Sequence, residues 1–504
     1  MAVVIAIDAG TSGVRSLALD ESGRPVGSAY REFPQYFPRP GWVEHDPREI
    51  WEAVTATLAE LLERLEQPAI AAIGITDQRE TVVAWNRSRG EPRHRAIVWQ
   101  DRRTAARCDE LRHAGRLDLV RQTTGLVLDP YFSATKLEWL LDSGGVESDR
   151  DLALGTIDSW ILWNLTRGAG QEVGAGGFAV HATEASNASR TMLFDINALA
   201  WSDELLALFA IPRAALAEVR PTQGRFGLVG PGLPVPQGVP VSGMAGDQQA
   251  ALFGQACLRP GMSKNTYGTG SFVLTNIGAS PPPPADGLLT TVGWTVDGQP
   301  GAVYALEGSI FATGAAVQWL RDGLGIIADA AEIGPLAESC TDTDGVYVVP
   351  AFAGLGSPWW DPYARGTITG ITRGTARAQL ARAVVESMAY QTRDVAEAMA
   401  AAGGVGIAEL RADGGAAVMN VLLQIQADQL GVPVARPVTQ ESTALGAAYL
   451  AGVAEGVWSD HDEVAGLWQL DRRFEPSADR AADDARYGQW RRAVERAKAW
   501  EVPT

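Results

Sequence analysis

The sequence predicts a duplicated α/β fold, two lobes facing each other across a shared cleft. Three observations point there. The chain has 504 residues, more than one hydrophobic core usually supports, so two large lobes are expected. A strand–loop–strand unit rich in glycine and threonine opens the chain, and a similar unit recurs about half a chain later. Elsewhere, helix-capping signals with helical apolar spacing alternate with short apolar runs, the pattern of an α/β chain.

Residues 3–8 read as the first strand and 15–20 as the second, after which Glu21-Ser22-Gly23-Arg24-Pro25 turns the chain into a third extended segment. Between the first two strands lies Asp8-Ala9-Gly10-Thr11-Ser12-Gly13. Its glycines let the backbone approach a ligand, and consecutive amides in such a turn form an anion-binding nest. Asp46-Pro47-Arg48-Glu49 has the capping-box pattern with proline at the first helical position. Trp51, Val54, Leu58, Leu61, Leu62 and Leu65 keep helical spacing behind it. Residues 70–76 form the next strand, ending at Asp77-Gln78-Arg79-Glu80. Polar clusters just past such strands are where open α/β sheets bind ligands.

In the second half, residues 264–267 and 271–277 read as strands around Gly268-Thr269-Gly270. Either hairpin alone is also an ordinary tight turn. The pair, with a hydroxyl in each loop, favours two phosphate loops facing one cleft. Residues 281–284 are a stiff proline loop with no assigned chemistry, and residues 477–500 read as a surface helix rich in both charges.

Composition narrows the chemistry. Hydrophobic residues make up 46% and charged residues 20%, an ordinary soluble composition, and the formal charge is −18. Such acidity argues against a nucleic-acid partner, whose phosphates favour basic faces. The three lysines, Lys136, Lys264 and Lys498, stand outside any G-x-x-x-x-G-K-[ST] context, which excludes a P-loop. A bound nucleotide would therefore rely on backbone amides, arginine and a metal ion. Cys108, Cys257 and Cys340 form neither a CxxC pair nor a disulfide framework, which suits a reducing cytoplasm. The apolar opening run lacks a basic flank and stops at Asp8, so it reads as a strand, not a signal peptide. No apolar stretch approaches the ~20 residues of a membrane helix.

Phosphorylating an alcohol needs a base, donors for the nucleotide phosphates and a divalent cation. Asp247 is the base candidate: it follows two glycines, Gly243 and Gly246, and precedes an apolar run that starts a helix, where the helix N-terminus favours an ionised carboxylate. Its other reading is as a helix cap alone. Arg79 and Glu80 supply the donor and acceptor that a small polyol needs, and are equally readable as a surface ion pair. Trp99 and Tyr131 could wall such a pocket or sit in the core. The five histidines share no metal-ligand spacing, so zinc is not expected. Magnesium needs only a carboxylate or two, and Asp8 with Asp247 would suffice.

These residues sit in strings that occur together in one family. GITDQRET at residues 74–81, AIVWQDRRT at 96–104, TGLVLDPYFS at 124–133, NASRTMLF at 187–194, AGDQQAALFG at 245–254, KNTYGTG at 264–270 and STALGAA at 442–448 follow one another in the family's order. The chain thus resembles the FGGY carbohydrate kinases, and within them the members that phosphorylate glycerol. The resemblance implies a two-lobed actin-like ATPase fold of ribonuclease-H-type lobes with an interlobe cleft. The N-terminal lobe would span residues 1–248 and the C-terminal lobe 249–504.

The resemblance further implies that Arg79, Glu80, Trp99, Tyr131, Asp247 and Gln248 hold glycerol or a similar polyol while Phe272 closes over it. Asp247 would be the general base. Thr11, Ser12, Arg15, Gly268 and Thr269 would hold the phosphates of ATP, Asp8 and Asp247 would serve hydrated magnesium, and Gly314, Gln318, Gly415 and Met419 would surround the ribose and base. A homo-oligomer, dimer or tetramer, is the matching expectation.

The chain also departs from the family pattern. The loop from Asp8 to Arg15 resembles that of the xylulose- and ribulose-phosphorylating members, which keeps erythritol, xylulose and ribulose as alternative acceptors. Asp77 and Met419 stand where asparagine is usual. Residues 225–238 lack both the loop that binds fructose bisphosphate in some members and a histidine phosphorylated in others, so neither control is expected. Residues 167–180 resemble a small glycine-rich insertion. An actin-like ATPase without a sugar acceptor is the reading from another class, and the Arg79–Glu80 pair weighs against it.

Overall fold

The structure, a computed structural model, describes residues 2–169 and 179–501; most of the glycine-rich stretch at 167–180 lies outside the described residues. The first strand, β1 (Ala2–Ala9), is apolar on both sides. Val3, Ile5 and Ile7 enter one core, while Val4 and Ala6 enter another, so the strand lies inside a sheet covered on both faces. It pairs antiparallel with β2 (Gly13–Leu19), which pairs with β3 (Pro25–Glu32). Helix α1 (Pro47–Arg64) then packs on β2 and β3, and the chain enters β4 (Ala69–Asp77), parallel to β1. Past helix α2 (Ile157–Arg167), β5 (Gln223–Leu228) and β6 (Pro240–Gly246) complete a six-stranded sheet in the order β5-β6-β4-β1-β2-β3. Helix α3 (Asp247–Gly254) follows β6 directly.

The second half repeats this plan. Strands β7 (Met262–Tyr267), β8 (Ser271–Gly278), β9 (Leu289–Trp294), β10 (Val303–Ile310), β11 (Glu409–Asp413), β12 (Val434–Pro437) and β13 (Leu470–Phe474) form a sheet ordered β9-β10-β8-β7-β11-β12-β13. Its stretch β10-β8-β7-β11-β12 matches β3-β2-β1-β4-β6 strand for strand, with the first hairpin antiparallel and the next two pairings parallel in each. The two glycine hairpins therefore hold equivalent places in two copies of one sheet.

Helix α4 (Arg377–Gly403) backs the second sheet. Helix α5 (Ser442–Ala454) follows β12 yet packs on α3, β1, β4 and β6, so the C-terminal half reaches back onto the first sheet. Backbone meets backbone there: a Cβ on Gly446 would collide with the Ala250 carbonyl, and one on Gly254 with the Ser442 carbonyl.

Two local expectations change. Asp46 caps α1 by accepting from the Arg48 amide at 2.9 Å, but Glu49 does not close the box; it accepts from the Tyr36 hydroxyl at 2.8 Å. The C-terminal helix, α6 (Arg480–Ala497), is not purely superficial: Tyr487 and Trp490 are buried and donate to Asp394 of α4 at 2.6 and 2.8 Å. Among the described residues no helix is long and apolar enough to cross a membrane.

Candidate active site

Parallel strands deliver their carboxyl ends to one edge of a sheet, and loops leaving that edge converge. In the first sheet Asp8 pairs with Thr76, and Asp77 lies level with both Ala9 and Gly246. This register brings together the loop after β1, residues 78–81 after β4, and Asp247 after β6. In the second sheet the ends of β7 and β11 lie side by side, Thr266 opposite Asp413.

Asp247 is the first residue of α3, while Gly246 holds the cap position, so the expectation that Asp247 caps the helix is corrected. Its Oδ1 accepts from the adjacent Gln248 amide at 2.7 Å and lies 3.0 Å from Arg79 Nε. The Asp247 side chain is 30% exposed, so a ligand can reach it, whereas that of Arg79 is 2% exposed.

The Arg79–Glu80 pair is not on the surface. Both residues are buried, and their nearest charged atoms are 3.9 Å apart because each has a better partner. Arg79 forks onto Glu307 of β10, Nη1 to Oε2 at 2.6 Å and Nη2 to Oε1 at 3.1 Å. Glu80 Oε1 accepts from Arg190 Nε at 2.7 Å, and Arg190 Nη2 reaches Glu307 Oε1 at 3.0 Å. Burial works against the Arg79 charge, but Glu307 and Glu80 more than offset it and hold the guanidinium protonated. Burial would likewise raise the Glu307 carboxyl, yet Arg190 and Arg79 outweigh it and hold Glu307 down at about 2. Glu80 has a φ of 63°, a left-handed backbone that a non-glycine residue keeps only when its surroundings fix it.

Aromatic rings wall this cluster. Trp99 and Tyr131 meet edge to face at 5.6 Å, and the Trp99 indole donates to Thr11 Oγ1 at 2.9 Å. Phe272 of β8 lies across the cleft, 5.9 Å from the Arg79 guanidinium. Gln248 Oε1 accepts from Lys264 Nζ, which also reaches Thr266 Oγ1 at 3.0 Å. Burial lowers the Lys264 pKa to about 8, against the pull of Asp413 and Asp247.

The loop after β1 is acidic at its base. Burial, then Asp247 and Glu441, push Asp8 up to about 7, with Arg15 opposing. Arg15 pairs with Glu441 at 3.2 Å. In the second lobe, Gly268 accepts from the Gly314 amide at 3.0 Å and Thr269 from the Ala315 amide at 2.9 Å, so the hairpin loop rests on the first residues of the short helix Gly314–Gln318. A Cβ on Gly314 would lie 2.5 Å from the Gly268 carbonyl. Gly415 opens a short turn after β11, and Met419 at its end packs against Gly334. Asp77 is buried, with Oδ1 accepting from Asn187 Nδ2 at 2.9 Å.

The fold thus gathers Arg79, Glu80, Trp99, Tyr131, Asp247, Gln248 and Phe272 around one pocket. Thr11 and Ser12 lie on the first hairpin loop with Arg15 just inside β2, Gly268 and Thr269 on the second hairpin loop beside the short helix Gly314–Gln318, and Gly415 and Met419 on the short turn after β11. Sequence reasoning missed Glu307, Arg190 and Lys264. Arg190 and Lys264 lie in family strings without an assigned role, while Glu307 lies in none; Glu307 and Lys264 are each the single charge of an otherwise uncharged strand. A lone charge in a buried strand was the available signal.

The comparisons with known proteins agree over the whole length. The N-terminal domain of the FGGY family of carbohydrate kinases matches residues 3–254, and its C-terminal domain matches residues 263–455. Glycerol kinase 2 of Thermotoga maritima is 52% identical over 509 residues, covering 99% of this chain and all of its own. The glycerol kinase of Carboxydothermus hydrogenoformans is 52% identical, covering 99% of each chain. The crystal structure of Plasmodium falciparum glycerol kinase with ADP superimposes with a TM-score of 0.91 at 34% identity, covering 99% of this chain and 98% of that one.

Proposed function

The chain belongs to the FGGY family of carbohydrate kinases, with its two-lobed actin-like ATPase fold, and from that premise we propose that it transfers the γ-phosphoryl group of ATP to glycerol, with Asp247 as general base. One observation carries the residue assignment: Arg79 Nε stands 3.0 Å from Asp247 Oδ1 at the floor of a cleft where Asp247 stays reachable. A donor for a polyol oxygen and an acceptor for its proton therefore share one edge.

In this reading Arg79 and Glu80 hold two hydroxyls, and Gln248, fixed by Lys264, steadies the acceptor beside the base. Trp99 and Tyr131 cover the carbon skeleton, and Phe272 from the opposite lobe shuts the pocket, limiting transfer to water. The terminal hydroxyl gives its proton to the Asp247 carboxylate as its oxygen bonds to the γ-phosphorus. The bond from that phosphorus to the bridging oxygen breaks, and ADP leaves with the electron pair.

Thr11, Ser12, Arg15, Gly268 and Thr269 hold the phosphates, and Gly314, Gln318, Gly415 and Met419 surround the nucleoside. Arg15 must exchange Glu441 for phosphate oxygens as the nucleotide enters.

Magnesium fits the donor set. Asp8 is a carboxylate crowded by Asp247 and Glu441, an environment short of positive charge. Among the described residues no group of three or more protein ligands forms a cage, and magnesium is commonly held by one or two carboxylates together with substrate phosphates. Asp8 and Asp247 would hold it, and when bound it neutralises charge on the phosphate oxygens. The three unpaired cysteines accord with a cytoplasmic site of action.

Replacing Asp247→Asn keeps the shape and removes the base. The expected loss is ~10²–10⁴-fold in kcat with glycerol binding largely retained. Near-normal turnover of that variant would remove Asp247 from the mechanism.

A further inference from the structure

Arg79, Glu80, Arg190 and Glu307 form a ring of two cations and two anions, closed by the looser 3.9 Å approach of Arg79 to Glu80, each residue at most 2% exposed. Its links are Glu80–Arg190 at 2.7 Å, Arg190–Glu307 at 3.0 Å, and the double contact of Glu307 with Arg79 at 2.6 and 3.1 Å. Two members, Arg79 and Glu80, belong to the proposed polyol pocket, whereas Arg190 and Glu307 stand behind them. Glu307 comes from β10 of the second sheet, so this counter-charge reaches the pocket from the opposite lobe.

The arrangement bears on acceptor charge. An arginine's paired Nη groups are the natural receptor for a carboxylate. Here Glu307 already fills that fork on Arg79, and the ring sums to zero charge. The remaining buried cation, Lys264, is turned to Gln248 and Thr266 and lies within the fields of Asp413 and Asp247, so the pocket offers an incoming acid no net positive charge. We propose that Glu307 and Arg190 are specificity-determining residues that restrict this kinase to uncharged polyols, acting through Arg79 and Glu80 rather than by touching the acceptor. The proposal rests on the polyol site described above and adds to it a charge rule set by residues outside the pocket wall.

The rule predicts effects of opposite sign. Glu307→Gln leaves a buried cation in excess and should favour an acidic acceptor. Arg190→Gln leaves an anion in excess and should favour a cationic one. The full-length enzyme and the two variants would be compared with glycerol, glycerate and 3-amino-1,2-propanediol, as acceptors by kcat/KM or as competitive inhibitors by their inhibition constants. Relative to glycerol, glycerate should gain on the order of tenfold in Glu307→Gln and the aminodiol should lose, with the reverse in Arg190→Gln. The double variant should return toward the wild-type ratios.

Each ratio is taken within one variant, so a fraction that fails to fold cancels. Damage to packing alone would weaken all three ligands together. Ratios that stay within about twofold of wild type, or that move the same way in both single variants, would overturn the proposal. If the wild type prefers another polyol, the comparison runs with that polyol and its acid and amine analogues, so failure of the glycerol assignment and failure of the charge rule are separate results.

Discussion

Glu307 and Asp394 are both buried carboxylates, and they end on opposite sides of their ordinary values because their neighbours differ in charge. Glu307 faces two guanidinium groups and is held at about 2. Asp394 is raised by burial to about 6, only partly countered by neutral donors, chiefly Tyr487 and Trp490. Because the folded value lies above the ordinary 3.8 of an aspartate, the stability Asp394 contributes is complete below about pH 4 and is lost as pH rises toward 6. At roughly 1.4 kcal/mol per unit, that loss is on the order of 2–3 kcal/mol. Denaturant unfolding of wild type and Asp394→Asn between pH 4.5 and 7 should show the wild type losing stability relative to the variant across the lower part of the range; parallel profiles would contradict the assignment. At this scale Arg79, Glu80 and Asp247 were legible because they lie in short motifs at strand ends. Glu307 was not, because its partner Arg79 is 228 positions away and no local pattern records that distance.

At the scale of elements, the crossing of α3 and α5 ties the two halves of the chain together. Gly446 and Gly254 allow it, since a methyl group at either would strike a carbonyl oxygen of the facing helix. Gly446→Ala sets two effects against each other. Alanine gains about 1 kcal/mol of helix propensity, while a collision with backbone, which cannot rotate aside, costs about 1–3 kcal/mol or more. Collision should win, so the expected result is a lowered Tm; an unchanged or raised Tm would show that the helices separate at little cost. Strands β1 to β4, the β7–β8 hairpin, α1 and its Asp46 cap were readable from periodicity and turn chemistry, whereas the remaining strands of both sheets were not. The glycine crossing was not, since Ser442–Ala454 reads as an ordinary apolar helix until the sheet it covers is known to be the first and not the second. The same limit hid the Tyr36–Glu49 bond and the aromatic face of α6.

At the scale of the molecule, a chain with a net charge of −18 concentrates its useful cations in one cleft. Arg79, Arg190 and Lys264 are buried there and Arg15 stands at its edge, each facing at least one carboxylate. Two copies of one five-strand sheet order bring that cleft together, each contributing a glycine hairpin, and the duplication was visible in sequence because the hairpins kept their glycines and hydroxyls. The proposed nucleoside side was less legible, because Gly415 and Met419 sit on a short turn whose place depends on the parallel pairing of β7 with β11. In the proposed reading the first loop, with its likeness to pentulose-phosphorylating relatives, serves the phosphates, whereas Arg79, Glu80 and Asp247 serve the acceptor, so the choice of acceptor rests on the second set. The direct test is ATP-dependent phosphorylation of glycerol, erythritol, xylulose and ribulose by the purified protein, with ATP consumption followed in parallel without acceptor. Glycerol should have the highest kcat/KM, and ATP turnover should depend on it. A pentulose ahead by more than about tenfold, equivalent to ~1.4 kcal/mol in transition-state binding, or ATP turnover indifferent to any polyol, would contradict the account.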